Sequence, residues 1–157
     1  MAENEYLRPW STMRDGVDAW IRREMAEQRG PTRAICLSDD DRALGRVAVR
    51  PPELASEAVR CEAVRESDQP AGELSYWLVP TARGRGLAYA AVRLMIESVV
   101  PALGLRSLVL DIEEGNVPSM RLAERLGAER RHPSRLHPGR CGDLHTFVVY
   151  VLPVGAD

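Results

Sequence analysis

The chain has 157 residues, of which 45% are hydrophobic and 28% are charged, and its formal net charge is -2. This length and composition are typical of one globular domain with its own core, so we expect residues 1–157 to form a single domain. The small net charge gives no reason to expect nucleic acid or a membrane surface as a partner. The apolar region after Leu87 is not expected to span a membrane, because Arg93 and Glu97 interrupt it.

The cysteines and histidines give no sign of a disulfide framework or a metal site. The cysteines are odd in number and far apart in the sequence; they are Cys36, Cys61 and Cys141. The histidines show no ligand spacing, and we expect surface or loop positions for His132, His137 and His145. Cysteines without paired spacing, and a start without an apolar leader, predict a cytoplasmic protein that binds no metal.

The first part of the chain predicts a helix followed by a β-hairpin. Apolar residues recur at helical spacing over Met13–Gln28, and a Gly-Pro pair ends this helix. The hairpin consists of strands Thr32–Leu37 and Ala43–Val49, joined by the polar turn Ser38–Arg42. After a Pro-Pro loop, alternating residues predict a further strand over Glu57–Arg65.

The second half of the chain alternates between strand-like and helix-like segments. An amphipathic helix is expected after Gly86, with one face formed by Leu87, Ala91, Leu94, Met95 and Ser98. The other elements are strand Glu73–Val79, strand Ser107–Ile112, helix Val117–Leu126, a strand near Ala128–Arg131 and strand Leu144–Leu152. This alternation predicts an α/β (α+β) fold.

The segment Arg83-Gly84-Arg85-Gly86-Leu87-Ala88 lies between a predicted strand and the start of a predicted helix. Glycine allows a tight turn and keeps side chains away from a ligand that approaches the backbone. The first amide groups of a helix lack intrahelical partners and suit a phosphate or pyrophosphate group. The two arginines add charge at the rim of this anion cradle. A P-loop nucleotide site is not indicated, because no Gly-Lys-Ser/Thr follows the glycines.

A second polar helix start follows the strand Ser107–Ile112. Asn116 is a good N-cap residue, and Gly127 is a natural helix stop. Ser119 lies three residues after Asn116, within the same turn and near the same end of the helix dipole. Asn116 either caps the helix alone or also offers its amide to a ligand in a cleft.

Three of these segments together resemble the core motifs of the GNAT N-acetyltransferase superfamily. They are Glu73-Leu-Ser-Tyr-Trp-Leu-Val79, Arg83-Gly-Arg-Gly-Leu-Ala88, and Asn116-Val-Pro-Ser119 followed by Leu126-Gly127-Ala128. Arg83, Gly86 and Ala88 satisfy the family's phosphate signature, Gln/Arg-x-x-Gly-x-Gly/Ala. The motifs look most like the branch that acts on ribosomal-protein N-termini, which also contains acetylases of antibiotics and small amines.

The resemblance implies a GNAT fold, in which a mixed central sheet is flanked by helices and two parallel central strands splay apart to admit acetyl-CoA. The splayed pair here would be Glu73–Val79 and Ser107–Ile112. The backbone of Leu78 and Val79 would bind the pantetheine arm, and an N–H group there would polarise the thioester carbonyl. Asn116 would contact the pantetheine, and Ser119 would lie beside the thiol or the phosphates. The pyrophosphate would be held by the amides of Arg83, Gly84, Arg85, Gly86, Leu87 and Ala88.

The implied reaction is direct transfer of an acetyl group from acetyl-CoA to a primary amine, and it needs a base. Glu73 aligns with the strand glutamate that serves as base in the histone-acetylating branch, and Asp111 with an acidic position of some N-terminal acetylases. Glu113 is a third candidate, because strand alternation places it on the same face as Asp111. Many members protonate the departing thiolate with a helix tyrosine; Ala123 stands at that position here, and Ser119 is the expected replacement. The aromatic pair on the first splayed strand, Tyr76 and Trp77, is expected to fill the core or line the cleft.

The N-terminal region departs from the family pattern. The segment before Thr32 is short for the strand and one or two helices with which members begin, so this region is expected to be shortened. A shortened edge leaves unpaired strand groups that a second subunit would cover, and a homodimer is therefore a hypothesis. The acceptor stays open between a protein N-terminus, a lysine and a small-molecule amine. The alternative function is a non-catalytic acyl-CoA-binding sensor on a truncated GNAT fold.

Overall fold

The computed structural model describes residues 26, 30–55, 70–138 and 144–155. These residues form β1 (Thr32–Leu37), β2 (Asp40–Arg50), β3 (Ala71–Leu78), α1 (Leu87–Ser98), β4 (Ser107–Glu113), α2 (Val117–Arg125), β5 (Glu129–Pro138) and β6 (Leu144–Pro153). Short 3-10 helices, Pro52–Leu54, Pro80–Ala82 and Val100–Leu103, lie in the connections. Apart from Ala26, which is helical, the predicted helix Met13–Gln28 lies outside the described residues, and so does the predicted strand Glu57–Arg65.

The strands form one mixed sheet in the order β1-β2-β3-β4-β6-β5. The central neighbours β3 and β4 run parallel, and the other neighbouring pairs are antiparallel. Parallel neighbours need a crossover connection, and α1 lies in the connection between β3 and β4. The predicted α/β fold with a mixed central sheet is therefore confirmed.

The two α-helices cover one face of the sheet, called the helix face below. Their buried residues Val92, Met95 and Ala123 pack in one apolar cluster with sheet residues that include Leu74, Leu108, Leu110, Ile112 and Tyr150. Burial of one large apolar side chain stabilises a fold by roughly 1.5–3 kcal/mol. The opposite face carries a smaller cluster formed by Ala55, Ala71, Val109, Val149 and Val151. Successive residues of β3 and β4 therefore face opposite sides of the sheet.

Three of the predicted elements need correction. β2 begins at Asp40 instead of Ala43, and Asp40 pairs with Leu37, so the turn is shorter than the predicted Ser38–Arg42. β5 continues to Pro138 instead of ending near Arg131, since it is an edge strand, where proline is tolerated. Its register with β6 shifts between Arg131 and Arg135. The predicted face of α1 is wrong at Leu94, which is 63% exposed, whereas Val92 is buried. Each helix residue turns by about 100°, so Leu94 points away from the side of Val92.

Candidate functional site

The parallel strands β3 and β4 separate towards their carboxyl ends. Their register has three residue pairs, the last of which joins Glu73 to Val109. Beyond that point β3 stays paired with β2 up to Leu78, and β4 stays paired with β6 up to Glu113. The sheet therefore opens into a V with its vertex at Glu73 and Val109, which confirms the expected splay.

The last backbone groups of β3 point to opposite sides of the strand. The Val79 N–H donates to the Leu44 carbonyl of β2 at 2.8 Å, so this amide does not face the V. Backbone groups alternate along an antiparallel pair, and the N–H of Leu78 therefore points away from β2, towards the V. The Leu78 carbonyl accepts a hydrogen bond from Nε of Arg83 at 3.1 Å. Of the two amides predicted to polarise a thioester, the amide of Leu78 is therefore the one that faces the V.

The glycine-rich loop connects the open end of the V to α1. Gly84 and Gly86 have positive φ angles of 73° and 76°, which residues with a Cβ adopt rarely. A Cβ added to either glycine would meet no atom within 4 Å, so the loop backbone is open on this side. Arg83 and Arg85 are both exposed. The loop presents bare backbone flanked by two guanidinium groups, which is the arrangement expected of an anion cradle.

Helix α1 begins after Gly86 without a side-chain cap. The N–H of Ala90 donates to the Gly86 carbonyl at 3.1 Å and starts the intrahelical ladder. The amides of Leu87, Ala88 and Tyr89 come before this first bond and carry the positive end of the helix dipole. The helix start would therefore offer backbone donors to an anion placed in the adjoining glycine loop.

Helix α2 begins at Asn116, which caps its own helix. The N–H of Ser119 donates to the Asn116 carbonyl at 3.1 Å and lies 3.4 Å from Asn116 Oδ1. Pro118 has no N–H to satisfy in this turn. The predicted N-cap is confirmed, and the contact of Asn116 with pantetheine remains a prediction.

The side chain of Tyr76 connects β3 to the first turn of α2. Its hydroxyl lies 2.8 Å from Oγ of Ser119, and it donates to the Ser119 carbonyl at 3.2 Å. Burial raises the pKa of Tyr76 to about 12, against a smaller opposing effect of the hydrogen bond to Ser119. Sequence reasoning missed this contact, although a tyrosine in place of phenylalanine on a buried strand is a signal for a hydroxyl partner.

The predicted bases Glu73 and Asp111 lie on the face opposite the helices, because they alternate with residues of the helix face. Glu73 lies at the vertex, and its carboxylate is 3.7 Å from a guanidinium nitrogen of Arg50; the side chains are 14% and 29% exposed. Asp111 lies two residues beyond the vertex, where the strands have separated, and it is partly buried. Sequence reasoning gave no indication of the Arg50 partner, since it belongs to a different strand.

The third predicted base, Glu113, is bonded to a histidine. Nδ1 of His145 lies 2.7 Å from a carboxylate oxygen of Glu113, and both side chains are partly buried. His145 lies within β6, so it is neither a loop residue nor fully exposed, which corrects its predicted position. The other two histidines lie within β5. The Glu113 carboxylate is thus engaged at the far end of β4.

The V separates two groups of polar residues onto the two faces of the sheet. Tyr76, Ser119 and Asn116 lie on the helix face, together with the amino end of α2. Glu73 and Asp111 lie on the opposite face. A ligand that passes through the V would meet hydroxyl groups on one face and carboxylates on the other. This arrangement can hold a thioester from one side and accept a proton from the other.

Neither a membrane-spanning helix nor a metal-binding cluster is found in the described parts of the chain. No helix in these ranges is long and apolar enough to cross a membrane. Within the same ranges, no group of three or more His, Cys, Asp or Glu side chains is placed to hold a metal ion. Cys36 is exposed on β1, and Cys61 and Cys141 lie outside the described residues.

Comparison with known proteins gives a family and several similar folds. A family model for the acetyltransferase (GNAT) domain matches residues 1–129. A ribosomal-protein-alanine N-acetyltransferase from Brucella melitensis is 21% identical, with a TM-score of 0.64, over 87% of this chain and 79% of that chain. The putative acetyltransferase yncA from Salmonella typhimurium, solved with its cofactor acetyl-CoA, is 18% identical, with a TM-score of 0.63, over 88% and 72%. Arabidopsis thaliana NAA60 in complex with acetyl-CoA is 18% identical, with a TM-score of 0.57, over 76% and 70%. No curated protein shows significant similarity to the chain.

The two kinds of comparison support different statements. TM-scores of 0.57–0.64 at identities of only 18–21% show that the solved structures share the fold of this chain, and a shared fold does not specify a substrate. The family model covers most of the chain, and its match agrees with the splayed parallel strands and the glycine loop before α1. The chain therefore belongs to the GNAT acetyltransferase family.

Proposed function

We propose that this GNAT domain is an N-acetyltransferase that transfers an acetyl group from acetyl-CoA to a primary amine by direct attack in a ternary complex. The observation that carries the proposal is the V between β3 and β4, with an uncapped helix start at its open end and carboxylates on its far face. The Salmonella and Arabidopsis structures, which share the fold, contain acetyl-CoA and support this choice of donor.

The donor would be held mainly by backbone. The amides from Arg83 to Ala88 would take the pyrophosphate, because a Cβ at Gly84 or Gly86 meets no atom and the helix start has no side-chain cap. The Leu78 N–H would face the thioester carbonyl and stabilise negative charge on that oxygen during attack. On the other arm of the V, Asn116 would contact the pantetheine. The acetyl group would then lie between the two faces of the sheet.

Asp111 is the residue that we assign to accept the amine proton. It lies two residues beyond the vertex, in the separated part of the V, whereas Glu73 lies at the vertex, where β3 and β4 are still paired. A positioned base typically contributes 100-fold to 10,000-fold in rate. Glu73 is the second choice, through an intervening water, and Glu113 the third, because it is bonded to His145.

The acceptor that makes the smallest demand on such a base is an α-amino group. Its ordinary pKa is about 7.7–8.0, so presenting it uncharged at pH 7 costs about 1–1.4 kcal/mol, against about 4.6 kcal/mol for a lysine-type amine. The Brucella protein, which shares the fold, is named a ribosomal-protein-alanine N-acetyltransferase. We therefore place protein N-termini first among acceptors and small-molecule amines second.

A non-catalytic acyl-CoA sensor is the second candidate. It is favoured by Ala123, which stands where many family members carry a tyrosine, and by the ion pair that engages Glu73. The two candidates share the binding of acetyl-CoA and differ in turnover. A measured rate with any amine above the rate of spontaneous acetyl transfer would exclude the sensor.

The proposal is tested first by calorimetric titration of the full chain with acetyl-CoA, CoA, succinyl-CoA and ATP. Binding of acetyl-CoA at micromolar concentration, with no binding of ATP, is the expected result. Release of CoA is then followed with N-terminal peptides and with small amines. Asp111→Asn should lower kcat by about 100-fold or more, with Glu73→Gln as the comparison. Absence of binding to any acyl-CoA would contradict the proposal.

A further inference from the structure

The hydrogen bond between Tyr76 and Ser119 connects the two arms of the V. Tyr76 belongs to β3, and Ser119 lies in the first turn of α2, which follows β4; the two residues are 43 positions apart in the sequence. Tyr76 lies three residues beyond the vertex, where β3 and β4 are no longer paired. The contact therefore crosses the gap on the helix face, two residues before Leu78, whose N–H is proposed to face the thioester.

The two hydroxyl groups have two hydrogen atoms to share. Tyr76 is 2.8 Å from Oγ of Ser119 and 3.2 Å from its carbonyl oxygen, so its single hydrogen has two acceptors on one residue. If that hydrogen goes to the carbonyl, the hydrogen of Ser119 points back to Tyr76. If it goes to Oγ, which is nearer, the hydrogen of Ser119 points away from Tyr76. A negative charge beside Ser119 favours the second arrangement, because only that one gives the anion a donor.

Tyr76 does not itself protonate a thiolate in this setting. Burial raises its pKa to about 12, whereas the ordinary pKa of a thiol is about 8.5. Transfer of the phenol proton to a thiolate would therefore be unfavourable. Tyr76 keeps its proton and remains a hydrogen-bond donor throughout, and the amino end of α2 adds a favourable dipole.

We propose that Tyr76 is a positioning residue that donates to Oγ of Ser119 and so directs the Ser119 hydroxyl towards the sulfur of CoA. This inference rests on the proposed function. When the amine attacks the carbonyl carbon, a C–N bond forms and the C–S bond breaks, and the sulfur leaves with the electron pair as a thiolate. The amine proton goes to Asp111, while Ser119 stabilises the thiolate through a hydrogen bond without giving up its proton.

The test is the pKa of the CoA thiol in the binary complex, because a bound thiolate can be observed without turnover. Thiolate absorbs in the ultraviolet, so a pH titration of the complex gives this value directly. The same titration with desulfo-CoA supplies the blank for the cysteines and tyrosines of the protein. We expect the bound thiol of the wild-type complex to ionise about one pH unit lower than that of free CoA.

Four variants of the full chain separate the proposed role from simple packing. Tyr76→Phe and Ser119→Ala should each return the pKa of the bound CoA thiol to its value in free CoA. Each should also lower kcat about tenfold, with KM for acetyl-CoA changed less than twofold. The double variant should be no slower than either single one. Tyr150→Phe is the matched control, because it also removes one hydrogen bond of a buried tyrosine, the bond to Glu124, away from the V. This variant should leave the pKa of the bound thiol unchanged.

The conservative variant Ser119→Thr keeps a hydroxyl group and should keep the lowered thiol pKa. If Tyr76→Phe does not fold, Ser119→Ala and Ser119→Thr test the same contact from the helix side. A thiol that ionises at the same pH in Tyr76→Phe and in wild type would overturn the inference while leaving acetyl transfer intact. If wild type binds neither CoA nor acetyl-CoA, the proposed function fails, and the inference fails with it.

Discussion

The two helices that flank the V begin in opposite ways. Helix α1 follows Gly86, a residue with a left-handed backbone and no side chain, and within the described residues its start has no side-chain cap. Helix α2 follows Asn116, which bonds to the Ser119 N–H and satisfies its own helix start. Both starts carry the same positive dipole end. We infer from this difference that an anion would bind at α1 and not at α2, because an anion site needs free amides with space in front of them in addition to a dipole.

The same contrast appears in what surrounds each helix start. At α1 the neighbouring arginines, Arg83 and Arg85, are exposed, and a Cβ at Gly86 would meet no atom. At α2 the first turn is bonded to Tyr76 of the neighbouring strand. We therefore expect changes at α1 to affect donor affinity and changes at α2 to affect stability and the departing thiol.

The largest effect is expected from Gly86→Asp. A carboxylate at this position would lie where the pyrophosphate is proposed to bind, and its charge would repel the ligand. We expect the dissociation constant for acetyl-CoA, measured by calorimetry, to rise at least 100-fold, which corresponds to about 2.7 kcal/mol.

Gly104→Asp is the control for backbone strain. Gly104 also has a positive φ, of 62°, and a Cβ added there would meet no atom within 4 Å. It precedes β4, at the opposite end of the strands from the glycine loop. Both variants should lose about 1–2 kcal/mol of unfolding free energy, but only Gly86→Asp should lose affinity. Equal losses of affinity would remove the distinction between the two ends of the sheet.

The second effect is a loss of stability at high pH. Between pH 10 and 12 the unfolded chain loses the Tyr76 proton while the folded chain keeps it, because burial raises the folded pKa to about 12. The free energy of unfolding should therefore be intact below pH 10 and fall by about 2 kcal/mol over this interval. Urea titrations at several pH values measure this change.

Tyr76→Phe should make that pH dependence shallower without abolishing it. Burial, and then the bond to Glu124, also raise the pKa of Tyr150, which therefore acts in the same direction. A dependence identical to that of wild type would mean that Tyr76 is not buried against α2.

A smaller effect is expected from Arg83→Ala. The change removes one positive charge from the rim of the glycine loop and the bond from Nε to the Leu78 carbonyl. We expect about tenfold weaker binding of acetyl-CoA, or about 1.4 kcal/mol. The effect should shrink as salt is added, because exposed charges are screened.

Arg93→Ala provides the comparison within α1. Arg93 is exposed and pairs with Glu97 one helical turn away, at 2.6 Å. The variant should bind acetyl-CoA as wild type does. If both arginine variants weaken acetyl-CoA binding equally, the overall charge of the domain determines the affinity, and the glycine loop does not contribute specifically.

The smallest effect is expected from Asn116→Ala. Loss of an N-cap residue typically costs about 1 kcal/mol of stability, and we expect this loss in urea titrations. Asn116→Asp keeps an oxygen for the Ser119 N–H and should retain most of that stability. Affinity for acetyl-CoA should change only a few-fold. A loss as large as that of Gly86→Asp would show that both helix starts bind the donor equally.

Local patterns predicted the elements well where one kind of periodicity dominated. The helix α1 after Gly86 and the cap at Asn116 agree with expectation, and so does the hairpin of β1 and β2 apart from the earlier start of β2. Strand alternation, glycine conformation and cap chemistry act within a few residues. The prediction failed at Leu94, since an apolar residue on a helix does not by itself say which face is buried. It also ended β5 early, because proline is tolerated on an edge strand and the strand's place in the sheet is not visible locally.

The sequence by itself determined the order of strands and helices, the glycine loop and the two helix starts. Only the tertiary structure decided that the parallel register ends at Glu73, that the Val79 amide is bonded to Leu44, and that Tyr76 reaches Ser119. These features join residues that are distant in the chain, and they depend on which strands become neighbours and in which register. Pairing of that kind is set by packing of the whole sheet against its helices, which no short stretch of sequence specifies.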